Sequence, residues 1–244
     1  MKNRSSVSDP VDAYDRIAPH FAHLSAGRSA YLDRIEKLVV AEIPGGARSL
    51  LDIGSGDGVR CLRIAEAAGL KDCMLLEPSA AMRSLWPLEA NGWPIRAEEL
   101  KTRDGQFDAI TCLWNVLGHI FPEASRVDVL RQCARLLSPG GRLFIDVSHR
   151  YNVVHYGVLP TSLRVIRDIV LPDERNGDVS AHWGEGGICC ATKGHVFTDG
   201  EFRRIASAGG LSVLKCFAVD YSSGQMRGSK YAGHLLYVLS ERVP

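Results

Sequence analysis

The run Asp52-Ile53-Gly54-Ser55-Gly56-Asp57-Gly58 sets two carboxylates among three glycines at every second position, directly after the apolar pair Leu50-Leu51. Glycine accepts positive φ and carries no Cβ, so such a loop turns tightly and lets a ligand approach its backbone. A helical pattern begins at about Val59. A helix N-terminus offers free N–H groups and the positive end of a dipole. A buried strand, a tight turn and a helix therefore form a ligand cradle at the carboxyl edge of an open α/β sheet. The spacing selects among ligands. A dinucleotide site uses G-x-G-x-x-G to seat a pyrophosphate on the helix. Acids at Asp52 and Asp57 disfavour a pyrophosphate and suit a cationic group.

Three further residues could do chemistry beside that loop. Glu77 ends a second apolar run at the distance where an acid accepts both hydroxyls of a ribose. An ordinary helix-cap role fits it equally well. His119 follows a fourth apolar run, in Trp114-Asn115-Val116-Leu117-Gly118-His119-Ile120. His149 follows a fifth, in Asp146-Val147-Ser148-His149-Arg150-Tyr151-Asn152. Imidazole is a common general base near neutral pH. Both histidines are candidates to touch an acceptor, and both are equally readable as hydrogen-bonded structural residues.

The elements that must position these groups follow from periodicity. Tyr14 to Val40 is predicted as two helices, stopped by Pro44-Gly45-Gly46. Strands are predicted at 49–53, 73–77, 93–96, 107–113 and 142–147. Helices are predicted at 59–68, from Pro78-Ser79 to about Leu85, and at 123–137. This alternation implies βαβ units and a mainly parallel sheet. The pattern breaks between Arg150 and Phe197. There, β-like runs at 163–171, 179–183 and 188–192 alternate with turn signals and predict an antiparallel insertion. Thr198-Asp199-Gly200-Glu201 reads as a capping box opening a helix to about Ala208. Two closing strands follow, at 211–221 and 234–240. The chain thus divides into a core of 1–149, an insertion of 150–197 and a completion of the core sheet over 198–244.

Composition bounds the partners. The 244 residues carry a net charge of +1, which gives no basic footprint for nucleic acid. Seven cysteines, with Cys189-Cys190 adjacent and no C-x-x-C pair, read as reduced thiols without metal-ligand spacing. No apolar run reaches the length of a membrane span, and the polar start lacks a signal-peptide core. A cytoplasmic enzyme with a small-molecule partner, no bound metal, no membrane contact and a possible homodimer is the expectation.

The D-x-G-x-G-x-G loop, Glu77 and Leu136-Leu137-Ser138-Pro139-Gly140-Gly141-Arg142-Leu143 together resemble the class I S-adenosylmethionine (SAM) dependent methyltransferases, over about residues 10 to 150 and the last two strands. The resemblance implies a Rossmann-like seven-stranded sheet, helices on both faces and a terminal antiparallel hairpin. It implies SAM as cofactor and S-adenosylhomocysteine as its product. Asp52, Gly54, Ser55 and Gly56 would then hold the methionine moiety, Glu77 the ribose, and Pro78 or Met82 would pack near the adenine. Ala97 and Glu98 would face the adenine amine, with Leu113 lining the site. A Cβ at Gly54 would occupy the ligand's approach. Tyr14, in Tyr14-Asp15-Arg16-Ile17-Ala18, resembles the helix that closes over SAM in small-molecule members, and Arg28 would meet the carboxylate.

By the same resemblance His119 matches the G-H segment of small-molecule N-methyltransferases, with His149 as the alternative. The insertion is expected to act as a lid carrying His155, Tyr156, Arg164, Arg167 and Trp183, or else as a dimer contact. Three functions compete. The first is a small-molecule N- or O-methyltransferase, favoured by the near-neutral charge and the insertion. The second is a tRNA wobble-nucleoside methyltransferase, because Tyr14 to Phe21 also resembles that group. The third is a non-catalytic SAM-fold binding protein, against which the intact glycine loop argues.

Overall fold

The computed structural model describes residues 8–185 and 188–242, with the backbone alone for 181–185 and 188–190. Chain order runs α1 (Pro10–Ile17), α2 (Phe21–Ala26), α3 (Ser29–Glu42), β1 (Ser49–Ile53), α4 (Val59–Ala68), β2 (Asp72–Leu76), α5 (Ala80–Arg83), β3 (Gly92–Trp93) and β4 (Phe107–Cys112). It continues with α6 (Glu123–Leu136), β5 (Leu137–Val147), α7 (Val153–Tyr156), α8 (Val158–Val170), β6 (Asp178–Glu185), β7 (Ile188–His195) and α9 (Asp199–Ala208). It ends with β8 (Leu211–Val219), β9 (Met226–Arg227) and β10 (His234–Glu241).

The main sheet has the order β3-β2-β1-β4-β5-β10-β8-β9. From β3 to β5 the pairs are parallel; β10 then runs antiparallel to both β5 and β8. This is the expected Rossmann-like sheet with an antiparallel close, extended by the two-residue β9 at its edge. The apolar runs explain it. Leu50, Leu51, Ile53, Ala109, Ile110, Phe144 and Ile145 are all buried, because helices cover both faces of the central strands. The packing around α6 and α9 forms one face and that around α3 and α4 the other. The chain reverses direction across the sheet between β1 and β4, which opens a crevice at their carboxyl ends.

Several elements differ from expectation. The N-terminal pair of helices is three, beginning at Pro10, whose fixed φ suits a first helical position. The third strand is only Gly92–Trp93, and α5 is a single turn. The largest correction lies in the insertion. Residues 158–170 form the helix α8, not a strand. The run is rich in β-branched residues, which favours a strand reading. Pro160 also reads as a breaker there, but it sits in the helix's first turn, where its missing N–H costs nothing. The insertion also holds the single-turn helix α7 and an antiparallel hairpin, β6 on β7. The capping box forms as expected: the Thr198 hydroxyl accepts from Glu201 N at 3.1 Å, and the Glu201 carboxylate accepts from Thr198 N at 3.2 Å.

Candidate active site

A cavity of about 400 Å³ occupies the crevice beyond β1 and β4. Its floor is the glycine loop. Gly54, Gly56 and Gly58 all have positive φ, and the N–H groups of Gly54 and Ser55 donate to the Leu76 carbonyl at 2.8 and 3.0 Å. A Cβ on Gly54 would lie 2.6 Å from the Val116 side chain. The residue must therefore be glycine to let the loop after β4 close against it. This packing requirement stands beside the expectation that a Cβ there would occupy the ligand's approach.

Glu77 stands at the end of β2 and lines the cavity. One carboxylate oxygen accepts from Gly56 N at 3.0 Å and the other from Ser79 N at 2.8 Å. Burial pushes its pKa up to about 7 in spite of these bonds. Ser55 and Arg60 also line the cavity. The Ser55 hydroxyl and Arg60 Nε are buried without hydrogen-bond partners among the described residues. Asp52 lies just beneath, fully buried and outside the lining. Its Oδ1 accepts from the Thr111 hydroxyl at 2.6 Å, and its Oδ2 has no partner among the described residues. Burial raises the Asp52 pKa, against the charge of nearby Arg60.

The wall facing this floor is the loop after β4. Trp114 and Asn115 both adopt left-handed backbone, with φ of 62° and 59°. Such a pair is costly for residues other than glycine and persists only when its surroundings over-determine it. Asp146 does so. Its carboxylate accepts from Trp114 N, from Asn115 N at 3.3 Å and from the Tyr31 hydroxyl at 2.6 Å. The Asn115 side chain donates to the His195 carbonyl at 3.1 Å and accepts from Ser148 N at 3.0 Å. The turn delivers His119 to the cavity wall, half-buried, with its ring 5.8 Å from that of Tyr14 in an edge arrangement. His119 Nδ1 lies 2.8 Å from the Lys193 carbonyl. A carbonyl only accepts, so Nδ1 carries the proton and Nε2 keeps the lone pair. Burial lowers the His119 pKa and keeps the ring neutral at pH 7.

Residues 51–145 match the family model described as a methyltransferase domain. A ubiquinone biosynthesis O-methyltransferase from Ralstonia nicotianae is 34% identical over 113 residues, covering 44% of this chain and 46% of that protein. A glycine/sarcosine N-methyltransferase from Parasynechococcus marenigrum is 25% identical over 227 residues, 88% of this chain and 71% of the relative. The solved CcbJ methyltransferase from Streptomyces caelestis superposes with a TM-score of 0.66 at 17% identity, over 86% of this chain and 90% of that one. Residues 51–145 are thus similar to a methyltransferase domain, and the fold is that of solved methyltransferases. The chain spans about half the length of the ubiquinone-biosynthesis relatives it matches.

Of the residues singled out in the sequence, this methyltransferase fold brings Tyr14, Gly54, Ser55, Gly56, Glu77, Pro78, Ala97, Glu98, Leu113 and His119 to one cavity. Four others lie elsewhere. Asp52 is beneath the floor. Met82 is fully buried behind it, packed with Ala13, Ile17 and Phe21. Arg28 does not reach the cavity, because its guanidinium lies 5.1 Å from the centre of the Tyr221 ring. His149 also misses it. The backbone after β5 turns away to bridge Phe197, and the buried imidazole packs 5.8 Å from Tyr231, with no regular hydrogen bond to either ring nitrogen. Burial depresses its pKa to about 4.

Expected lid residues also lie away from the lining: His155, Tyr156, Arg164 and Arg167 sit on or near α7 and α8. The side chain of Trp183 is outside the described residues. The cover is instead α1 and α2, through Pro10, Val11, Tyr14 and Phe21. Sequence reasoning missed Arg60. A cation in the first turn of a helix opposes the macrodipole, and that anomaly was a usable signal. It also missed the Trp114–Asn115 turn, which no local sequence rule announces.

Proposed function

We propose that this chain is a SAM-dependent methyltransferase acting on a small molecule that presents an oxygen or nitrogen nucleophile. The observation that carries the reading is Glu77, a carboxylate at the end of β2 facing the cavity and braced by the glycine loop's own backbone. The donor set around it suits SAM. Glu77 would accept the two ribose hydroxyls. Arg60 and the Ser55 hydroxyl would meet the amino-acid carboxylate, with the Asp52 charge beneath the ammonium. Pro78, Ala97, Leu113 and Ile120 supply apolar walls for a base, and Glu98 an acceptor for its amine.

Bound SAM supplies an electrophilic methyl group, and the protein's part is positioning and electrostatics. Neutral His119 offers Nε2 to the acceptor, either to take its proton or to orient it. The Tyr14 ring packs edge-on beside that imidazole. Two relatives named for O-methylation in ubiquinone biosynthesis and N-methylation of glycine and sarcosine support a small-molecule acceptor. The near-neutral net charge supports it too.

Calorimetry with S-adenosylhomocysteine tests the core of this reading. The wild type binds, and Glu77→Ala loses about 1.5–3 kcal/mol, the range for hydrogen bonds to a charged group. Absence of binding by the folded wild type refutes the assignment.

A further inference from the structure

Helix α8 turns its apolar side outward. An amphipathic helix ordinarily buries its apolar stripe. Here Leu159, Leu163, Ile166 and Val170 recur at i, i+4, i+7 and i+11, flanked by Val158, Ile169 and Leu171. All are more than half exposed, from 57% at Ile166 to 73% at Ile169, and Val154 of α7 adds to them. The polar side is the one engaged with the protein. Thr161 is buried, Asp168 accepts from Arg150 and Tyr151 at 2.9 and 2.7 Å, and Arg164 lies 3.9 Å over the Tyr156 ring. None of these apolar residues lines the cavity.

The size of this surface identifies what covers it. Burying one such side chain removes roughly 60–120 Å² from water, so eight that are about two-thirds exposed present roughly 500 Å². One side of a standard interface buries about 800 Å², of which about 57–65% is apolar. The stripe therefore equals the apolar share of one side of a stable pair. A membrane-surface helix would instead turn basic groups toward lipid headgroups. The arginines here are already engaged: Arg164 with Tyr156 and the Arg150 carbonyl, Arg167 with Asp168 and the Asn176 carbonyl, and Arg175 with Asp173. A straight apolar stripe whose neighbouring arginines are engaged within the chain is complementary to itself across a two-fold axis.

We propose that α8 is the seam of a homodimer, packed antiparallel on α8 of a second copy and centred near Leu163 and Ile166. This seam is a helix face, not the β edge that an antiparallel insertion suggested. Antiparallel packing also sets opposite ends of the two helix dipoles side by side.

Sedimentation velocity on the full chain decides it. The wild type sediments as a dimer at micromolar concentration. Ile166→Ser raises the dimer dissociation constant more than about 10-fold, as expected at the centre of an interface. Leu163→Glu with Ile166→Glu yields a monomer with an unchanged circular dichroism spectrum, since both side chains are exposed within one chain. A monomeric wild type overturns the proposal, as does a dimer that survives the double substitution. Flotation of a monomeric wild type with anionic phospholipid vesicles overturns it in favour of a membrane.

Discussion

Glu77 is held by two backbone N–H groups and still titrates near neutrality, because burial outweighs them. Its pKa of about 7 in the folded chain exceeds the usual carboxylate value. The folded state therefore binds more protons between pH 4.5 and 7, and this residue's contribution to stability falls as pH rises through that window. The ionised carboxylate accepts from both ribose hydroxyls, whereas protonation turns one oxygen into a donor and weakens the pair as acceptors. S-adenosylhomocysteine affinity should thus fall as pH drops below about 7, with up to one proton released per ligand bound. Calorimetry in buffers of different ionisation enthalpy measures that proton, and Glu77→Gln should flatten the profile.

His119 has a different role because its tautomer is fixed. His119→Ala should leave cofactor affinity within a few-fold. If the imidazole takes the acceptor's proton, turnover should drop by about 10²–10⁴. A smaller loss shared with KM would mark it as an orienting group. Single-turnover kinetics separate the two, and His149→Ala, altered outside the cavity, serves as the control.

Among elements, the loop after β4 shows why two similar sequence signals part company. His119 and His149 each follow a strand that ends at the crevice. The sequence places both there because strand ends are set by apolar runs. It does not say which way a loop leaves the edge. Two left-handed residues braced by Asp146 fold one loop over the cavity, and the bridge to Phe197 draws the other away. Gly118 sits in the first loop. A Cβ there would stand 2.4 Å from the Asn115 amide and 2.6 Å from the His195 carbonyl. Gly118→Val should therefore separate the loop from β7. Overpacking of this kind costs about 1–3 kcal/mol, readable as a lowered denaturation midpoint. Turnover should fall further than cofactor affinity, because the distortion reaches His119 before it reaches Glu77.

At the scale of the whole molecule, the sheet was legible because its strands are buried on both faces and leave continuous apolar runs. The glycine floor of the cavity was legible because glycine spacing is a local backbone requirement. The cover was not. α1 and the hairpin meet through residues nearly two hundred positions apart, and α8 was hidden by its β-branched composition. Charge on the buried side of the insertion was equally silent. Arg150 pairs with both Asp168 and Glu201, and His195 lies between Asp178 and Glu201, all joined only by the tertiary fold.

The attachment of α1 sets an order of events during synthesis. Its inner end is tied by Asp15 to Ser79 and to the Ala81 amide. Its outer end is tied by Ser8, whose N–H and hydroxyl donate to the Ala191 carbonyl at 2.9 and 3.0 Å. The first tie can form once α5 has emerged from the ribosome. The second needs β7, about a hundred residues later, a delay on the order of 5–20 s at usual elongation rates. Until β7 is made the helix can be held at one end only, so the roof over the glycine loop is among the last parts of the cavity to be fixed.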